Sequence, residues 1–316
     1  MKRHRILAQG LAGVVLLTAI SACGGGSGEG APIAVVPGPT PTATASPTPM
    51  PTPSPTVPAY PTVNDLTRDL VIDGQLGVTF DTFEAASADS SRFVGATLFP
   101  SDTRYTLSFA ASPETARFAI NGTSDSYTVA DRTDVGQQRL YRRSGAPDLL
   151  LGPETGRAAT YTTQIGSALY TPETRAGVAG RHRLLRLAVA GRPTLAADPP
   201  PSSLSFRGTA LVLGGLADQA PYTSTDTLDF SVTGNQVLGN VSALGFGGTQ
   251  VILTFAGTLD RTTNSVQGTI TDSRTGFTGL FRGQLFGPSG AELGIVFRAE
   301  RASDGALLVG DYIGTW

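Results

Sequence analysis

Apolar and polar residues alternate in short runs through most of this chain, from about Val63 to Trp316. The alternation has a period of two, as in Tyr105–Phe109 and Arg181–Val189, and glycine, proline and small polar residues interrupt it. Such alternation is typical of strands that bury one face. No run of apolar residues at helical spacing stands out. The pattern therefore predicts an all-β fold.

The strand pattern is strongest in the last third of the chain, after a break at Pro193 and Asp198–Pro201. Eight short segments follow one another there, most of them joined by short polar or glycine-bearing connections. Eight antiparallel strands joined in this way suit a closed up-and-down barrel, which leaves no strand edge exposed. The predicted segments are Leu204–Leu213, Thr227–Val232, Gln236–Leu244, Val251–Leu259, Val266–Thr271, Gly276–Gly287, Glu292–Glu300 and Ala306–Gly314.

The beginning of the chain predicts where the protein resides. Three basic residues precede a mostly apolar stretch of roughly 15 residues, which is too short to cross a bilayer permanently. The stretch ends in Ile20-Ser21-Ala22-Cys23, which is similar to the lipobox of bacterial lipoproteins. An ordinary secretory signal with an incidental cysteine is the alternative. We expect a signal peptide over residues 1–22 and a lipid anchor on Cys23.

Proline dominates the segment that follows, as in Thr48–Pro55, where every second residue is proline. A tract of this kind has few amide donors and cannot build a core, so we expect an extended tether over residues 23–62. Folded domains are then predicted over 63–195 and 196–316. A tether of this length would let the folded part stand clear of a membrane.

Composition restricts the chemistry that the chain can perform. Cys23 is its single cysteine and His182 the single histidine after the leader, so counting excludes a cysteine–histidine metal cluster. The formal net charge of −2 argues against nucleic acid as a partner. Neither a phosphate-binding loop nor a convincing dinucleotide motif is present. No cofactor is predicted.

The segment Gly283–Phe297 resembles a hairpin motif of transferrin-binding protein B barrels, which reads roughly G-x-F-[FY]-G-P-x-A-x-E-[LI]-G-G-x-F. Leu285, Gly290 and Ile295 depart from it, and the other defined positions agree in type and spacing. Ser205–Ala210 and Asn264–Ile270 resemble two further strands of the family. The resemblance covers residues 196–316.

The resemblance implies an antiparallel handle-type domain followed by the eight-stranded antiparallel β-barrel. It also implies a non-enzymatic outer-membrane lipoprotein that binds a nutrient-carrying protein or a small solute beside a TonB-dependent transporter. A structural or assembly lipoprotein without a nutrient ligand is the alternative. The family's transferrin contacts cannot be transferred to residues of this chain, so its ligand-binding residues stay unassigned.

Catalysis finds little support among the ionisable residues. His182 would have to serve any Ser-His-Asp arrangement, yet it lies in an arginine-rich strand without a nucleophile motif nearby, which favours a solvated position. Glu292 has no partnered acid or base close in sequence, and we expect it to accept backbone hydrogen bonds across the turn at Pro288. Asp272 and Asp304 lack the spacing of a calcium loop. The chain is therefore predicted to be non-enzymatic.

Two sets of residues are candidates for binding. An arginine cluster on the handle could hold an anionic ligand, although arginines alternating along a solvated strand are the commoner case. Tyr222 and Phe246 could anchor a protein partner, although core packing explains them equally well. The arginines are Arg139, Arg142, Arg143, Arg181, Arg183 and Arg186.

Overall fold

A computed structural model describes residues 60–64, 66–85, 91–100, 103–136, 138–152, 159–215, 227–244 and 250–316. These residues form an N-terminal domain of eleven strands and a C-terminal barrel of eight. Cys23 and the predicted tether lie outside the described residues, as do Tyr222 and Phe246.

The N-terminal domain consists of two antiparallel sheets packed face to face. The four-stranded sheet has the order β1-β4-β5-β6, and the seven-stranded sheet has the order β3-β2-β11-β10-β9-β8-β7. Two strands of 14 residues, β10 and β11, form a long hairpin in the larger sheet. The strands are β1 Leu70–Gly74, β2 Gly77–Ala85, β3 Ser91–Leu98, β4 Tyr105–Ala111, β5 Glu114–Ile120, β6 Thr123–Thr128, β7 Arg132–Val135, β8 Gln138–Tyr141, β9 Asp148–Leu151, β10 Thr162–Arg175 and β11 Val178–Gly191.

Alternation along β9 to β11 gives the seven-stranded sheet two apolar faces. Leu149, Ile165 and Ala188 belong to the core shared with the four-stranded sheet. Ala168 and Leu185 point to the opposite face, where they pack with residues of the barrel wall. The larger sheet is therefore the middle layer of three, because neighbouring residues of a strand face opposite sides.

The barrel is closed by antiparallel pairing of its first strand with its last, as in Ala210 opposite Tyr312. The turn at Pro288 joins the sixth barrel strand to the seventh. The strands are β12 Ser203–Gly215, β13 Thr227–Thr233, β14 Gln236–Leu244, β15 Gln250–Asp260, β16 Ser265–Thr271, β17 Phe277–Phe286, β18 Glu292–Arg301 and β19 Ala306–Thr315.

Aromatic side chains fill the barrel interior. The ring centroid of Phe255 lies 5.2 Å from that of Phe230, 5.2 Å from that of Phe281 and 5.3 Å from that of Phe297. The centroid of the Tyr312 ring lies 4.5 Å from that of Phe230, and the two rings are tilted by 42°. All five rings are buried. The interior is thus a packed core, and a ligand of this protein must bind outside it.

The predicted all-β fold with an eight-stranded barrel is confirmed. All eight predicted barrel segments are strands, and their predicted bounds differ from the observed ones by at most two residues. The domain boundaries at residues 22, 62 and 195 stay predictions. Among the described residues, no helix has the length and apolar character needed to cross a membrane.

Candidate functional site

The hairpin motif lies where the barrel meets the N-terminal domain. Gly287 adopts a φ of 73° at the start of the turn, and a Cβ added there would meet the Tyr161 ring at 2.3 Å. Gly294 is equally restricted, since its Cβ would lie 2.5 Å from Val189. Both glycines therefore leave room for close contact with the N-terminal domain, and the positive φ of Gly287 is a second reason for glycine at that position.

Glu292 joins the two domains through backbone hydrogen bonds. Its carboxylate accepts the N–H of Thr160 at 2.5 Å and the N–H of Tyr161 at 3.0 Å. The residue is only 3% exposed. The prediction that it accepts backbone hydrogen bonds is confirmed, but the donors belong to the N-terminal domain and do not lie across its own turn.

Replacing Glu292 with glutamine should destabilise the protein by about 1.5–3 kcal/mol, the range for a hydrogen bond to a charged group. A glutamine side chain has one oxygen that can accept a hydrogen bond. Its NH₂ group would face one of the two backbone N–H groups and could not accept a hydrogen bond from it. Urea unfolding of the variant measures the loss. Glu300→Gln is the control on the same strand, because Glu300 pairs with Arg298 at the surface, where ion pairs contribute little. Equal effects of both substitutions would contradict this role of Glu292.

The segment between the domains is also attached to the hairpin. Asp198 accepts hydrogen bonds from the N–H of Ser289 at 2.8 Å, from the Ser289 hydroxyl at 2.8 Å and from the Tyr60 hydroxyl at 3.1 Å. Burial opposes ionisation of Asp198, but these hydrogen bonds outweigh it and hold the pKa of the carboxyl below its usual value. The connection is therefore a fixed part of the domain interface.

The arginine cluster does not form one free basic patch. Four of its members have carboxylate partners among the described residues, where Arg183 and Arg186 have none. These two occupy opposite faces of β11, because they are three positions apart. The pairs are Arg139 with Glu114 at 2.9 Å, Arg142 with Asp148 at 3.3 Å, Arg143 with Asp125 at 3.6 Å, and Arg181 with Glu84 at 2.5 Å.

His182 is half-buried on β11, with 27% of its side chain exposed. Its Nε2 lies 2.9 Å from the Asp81 carboxylate on the neighbouring strand. The described residues contain no group of three or more potential metal ligands of the histidine, cysteine, aspartate and glutamate types. Asp272 caps its own turn by accepting the N–H groups of Arg274 and Thr275.

A cleft of about 390 Å³ separates the larger sheet from the outer wall of the barrel. We call it the interdomain cleft and define it by the lining residues Val135, Gln138, Leu140, Arg142, Asp148, Leu150, Gln164, Gly166, Ser167, Ala168, Tyr170, Arg183, Leu185, Leu187, Leu211 and Leu213. The sheet contributes one wall, and β12 of the barrel contributes the other through Leu211 and Leu213. Its volume falls within the range of small-molecule sites, roughly 300–1,000 Å³.

Strand register orders the lining residues along the cleft. Tyr170 pairs with Arg183 at one end, and Gly166 pairs with Leu187 and Leu150 in the middle. Gln164 lies at the other end. Tyr170 and Gln164 are six positions apart on β10, which corresponds to about 20 Å of strand. The cleft therefore has a charged end, an apolar middle and an amide end.

The amide end is joined to the barrel by a buried polar contact. The Gln164 side-chain amide donates a hydrogen bond to the carboxylate of Asp311, a residue of β19 that is 0% exposed. Neither Gln164 nor Asp311 was singled out from the sequence. Asp311 interrupts the apolar strand β19 with a charged side chain, and that interruption is the signal that could have identified it. Gln164 lies among other polar residues of β10, so no comparable signal marks it.

Three other cavities fit a solute less well. One of about 180 Å³ between β1, β11 and the hairpin is below the usual size range. Two depressions of about 670 and 610 Å³ lie along the outer barrel wall, the smaller one also against β3, and both are more open to solvent. The interdomain cleft is the candidate site because it combines enclosure by two walls with charged and apolar lining.

Comparison with known proteins gives matches of fold alone. No protein-family model and no curated protein matches the chain. A mutant transferrin-binding protein B from Haemophilus parasuis is 10% identical, with 78% of this chain and 75% of that chain covered and a TM-score of 0.34. The isotype 1 protein from Neisseria meningitidis is 9% identical, with 79% and 77% covered and a TM-score of 0.33. A candidate outer membrane protein from Bacteroides fragilis is 13% identical, with 78% and 97% covered and a TM-score of 0.27.

Two of these structures are transferrin-binding protein B proteins, the family whose hairpin motif the segment Gly283–Phe297 resembles. Their names assign neither ligand nor partner to this chain.

Proposed function

We propose that this protein is a lipid-anchored, surface-exposed outer-membrane protein that binds a small solute in the interdomain cleft without catalysis. The observation that carries the proposal is the cleft itself. It lies between two domains fixed to each other by Glu292 and by the Asp198 connection, so its walls are preformed. A preformed site loses little conformational entropy when it binds a ligand.

The lipid anchor and the tether of the proposal are predicted from the sequence. A lipid on Cys23 and an extended tract to about residue 62 would hold the folded domains away from the bilayer, where solutes reach the cleft from water. The resemblance to transferrin-binding protein B supports a neighbouring TonB-dependent transporter, or a nutrient-carrying protein, as the partner. An assembly role would not require a cleft with a charged end.

Blocking the cleft with a larger side chain tests the proposal. The whole mature chain carrying Cys23→Ala, which needs no detergent, is dialysed against a small-molecule extract of the native cells. Mass spectrometry then identifies compounds enriched with the protein. Leu211→Trp places a large ring in the cleft and should abolish the enrichment, whereas Leu238→Trp on the exposed outer wall should preserve it. Equal enrichment by all three proteins would contradict solute binding in the cleft.

A further inference from the structure

The chemistry of the interdomain cleft restricts what it can hold. Its charged end contains two guanidinium groups, those of Arg142 and Arg183, and one carboxylate, that of Asp148. Arg142 pairs with Asp148 at 3.3 Å and is itself largely exposed. One positive charge, on Arg183, therefore remains without a carboxylate partner among the described residues.

Arg183 is positioned to bind an anion. Its guanidinium lies 5.7 Å from the centre of the Tyr170 ring, and the guanidinium of Arg181 lies 4.7 Å from the centre of the same ring. The Nε–H of Arg183 is buried and has no hydrogen-bond partner in the described part of the chain. A buried donor of this kind costs free energy unless an acceptor reaches it. A carboxylate matches a guanidinium in charge and geometry, because its two oxygens can accept two parallel N–H groups.

Beyond Arg183 the cleft is apolar. Leu140, Leu150 and Leu187 lie side by side on the sheet, and Leu211 and Leu213 face them from the barrel. Gly166 lies among them, and a Cβ there would approach Leu150 at 3.3 Å, so the floor of the cleft has little room for a larger residue. Leucine walls on both sides favour a saturated hydrocarbon chain over a polar body.

We infer that the interdomain cleft binds an aliphatic monocarboxylate, whose carboxylate pairs with Arg183 and whose hydrocarbon chain lies between the leucines of the sheet and those of β12. The inference rests on the proposed function and names the class of its solute.

Isothermal titration calorimetry of the whole mature chain carrying Cys23→Ala tests the inference with octanoate, decanoate and decanol. Decanoate should bind about fifteenfold more tightly than octanoate, because each buried methylene strengthens binding about fourfold. Decanol should bind about ten to a hundredfold more weakly than decanoate, because it cannot form the charge-assisted pair. This comparison needs no substitution in the cleft.

Arg183→Gln and Arg186→Gln form a matched pair on the same strand. The first should weaken decanoate binding about ten to a hundredfold and leave decanol binding unchanged. The second removes an arginine from the opposite face and should change neither. Thermal unfolding of both variants verifies that they fold. Equal affinity of wild type for decanoate and decanol would overturn the inference, and so would an equal effect of the two substitutions or no binding of decanoate at its solubility limit.

The two proposals can fail separately. If decanoate does not bind while Leu211→Trp still abolishes enrichment from the cell extract, the solute class is wrong and the cleft remains a binding site. If Leu211→Trp alters neither experiment, the proposed function is wrong as well.

Discussion

Replacing Cys23 with alanine is expected to remove fatty-acid labelling completely and to remove the protein from the outer-membrane fraction. Each methylene buried in a bilayer contributes about 0.8 kcal/mol, and a stable anchor needs more than one chain. A multiply acylated Cys23 would therefore hold the protein almost irreversibly. Because Cys23 is the single cysteine of the chain, no other thiol can take its place.

Metabolic labelling with an alkyne fatty acid and separation of the membranes measure both effects. Ser21→Ala is the matched control, since alanine keeps a small residue in the lipobox and labelling should persist. A labelled Cys23→Ala protein, or one that still reaches the outer membrane, would contradict the anchor.

The sequence was most informative about the barrel. Each barrel strand buries one face in a common interior, so its residues alternate and each strand could be found by itself. Connections as short as that between Thr233 and Gln236 require each strand to pair antiparallel with the next one along the chain. Closure of the sheet follows because it removes both edges.

The N-terminal domain was harder to predict because both faces of its larger sheet are buried. In β10, the residues from Thr162 to Ala168 are buried without alternation. Strand order in this domain also depends on contacts between distant segments, such as β2 with β11. Local pattern carries no information about such pairings, so only the presence of strands could be predicted there.

The candidate site could be predicted only in fragments. Arg183 was predicted as one of six candidate anion-binding arginines. It could be distinguished from the other five only once the structure showed which of them have carboxylate partners. Glu292 was found through the hairpin motif, whereas its donors lie more than 130 residues away along the chain. The cleft is formed by residues of two domains, so no single segment of the sequence could have indicated it.

Replacing Phe255 with alanine is expected to lower the free energy of unfolding by about 3–5 kcal/mol, the range for removing a buried aromatic side chain. Phe255 is 0% exposed and contacts three other rings, so the loss of its ring leaves a cavity that three side chains surround. Relaxation into this cavity is restricted because the barrel is closed.

Urea unfolding followed by circular dichroism measures the change in stability. Leu280→Ala is the control, because Leu280 is 55% exposed on the outer barrel wall and should change stability by less than about 0.5 kcal/mol. A loss below about 1 kcal/mol for Phe255→Ala would mean that the interior tolerates a void. The aromatic cluster would then not be the core that excludes ligands, and the argument that places binding outside the barrel would fail.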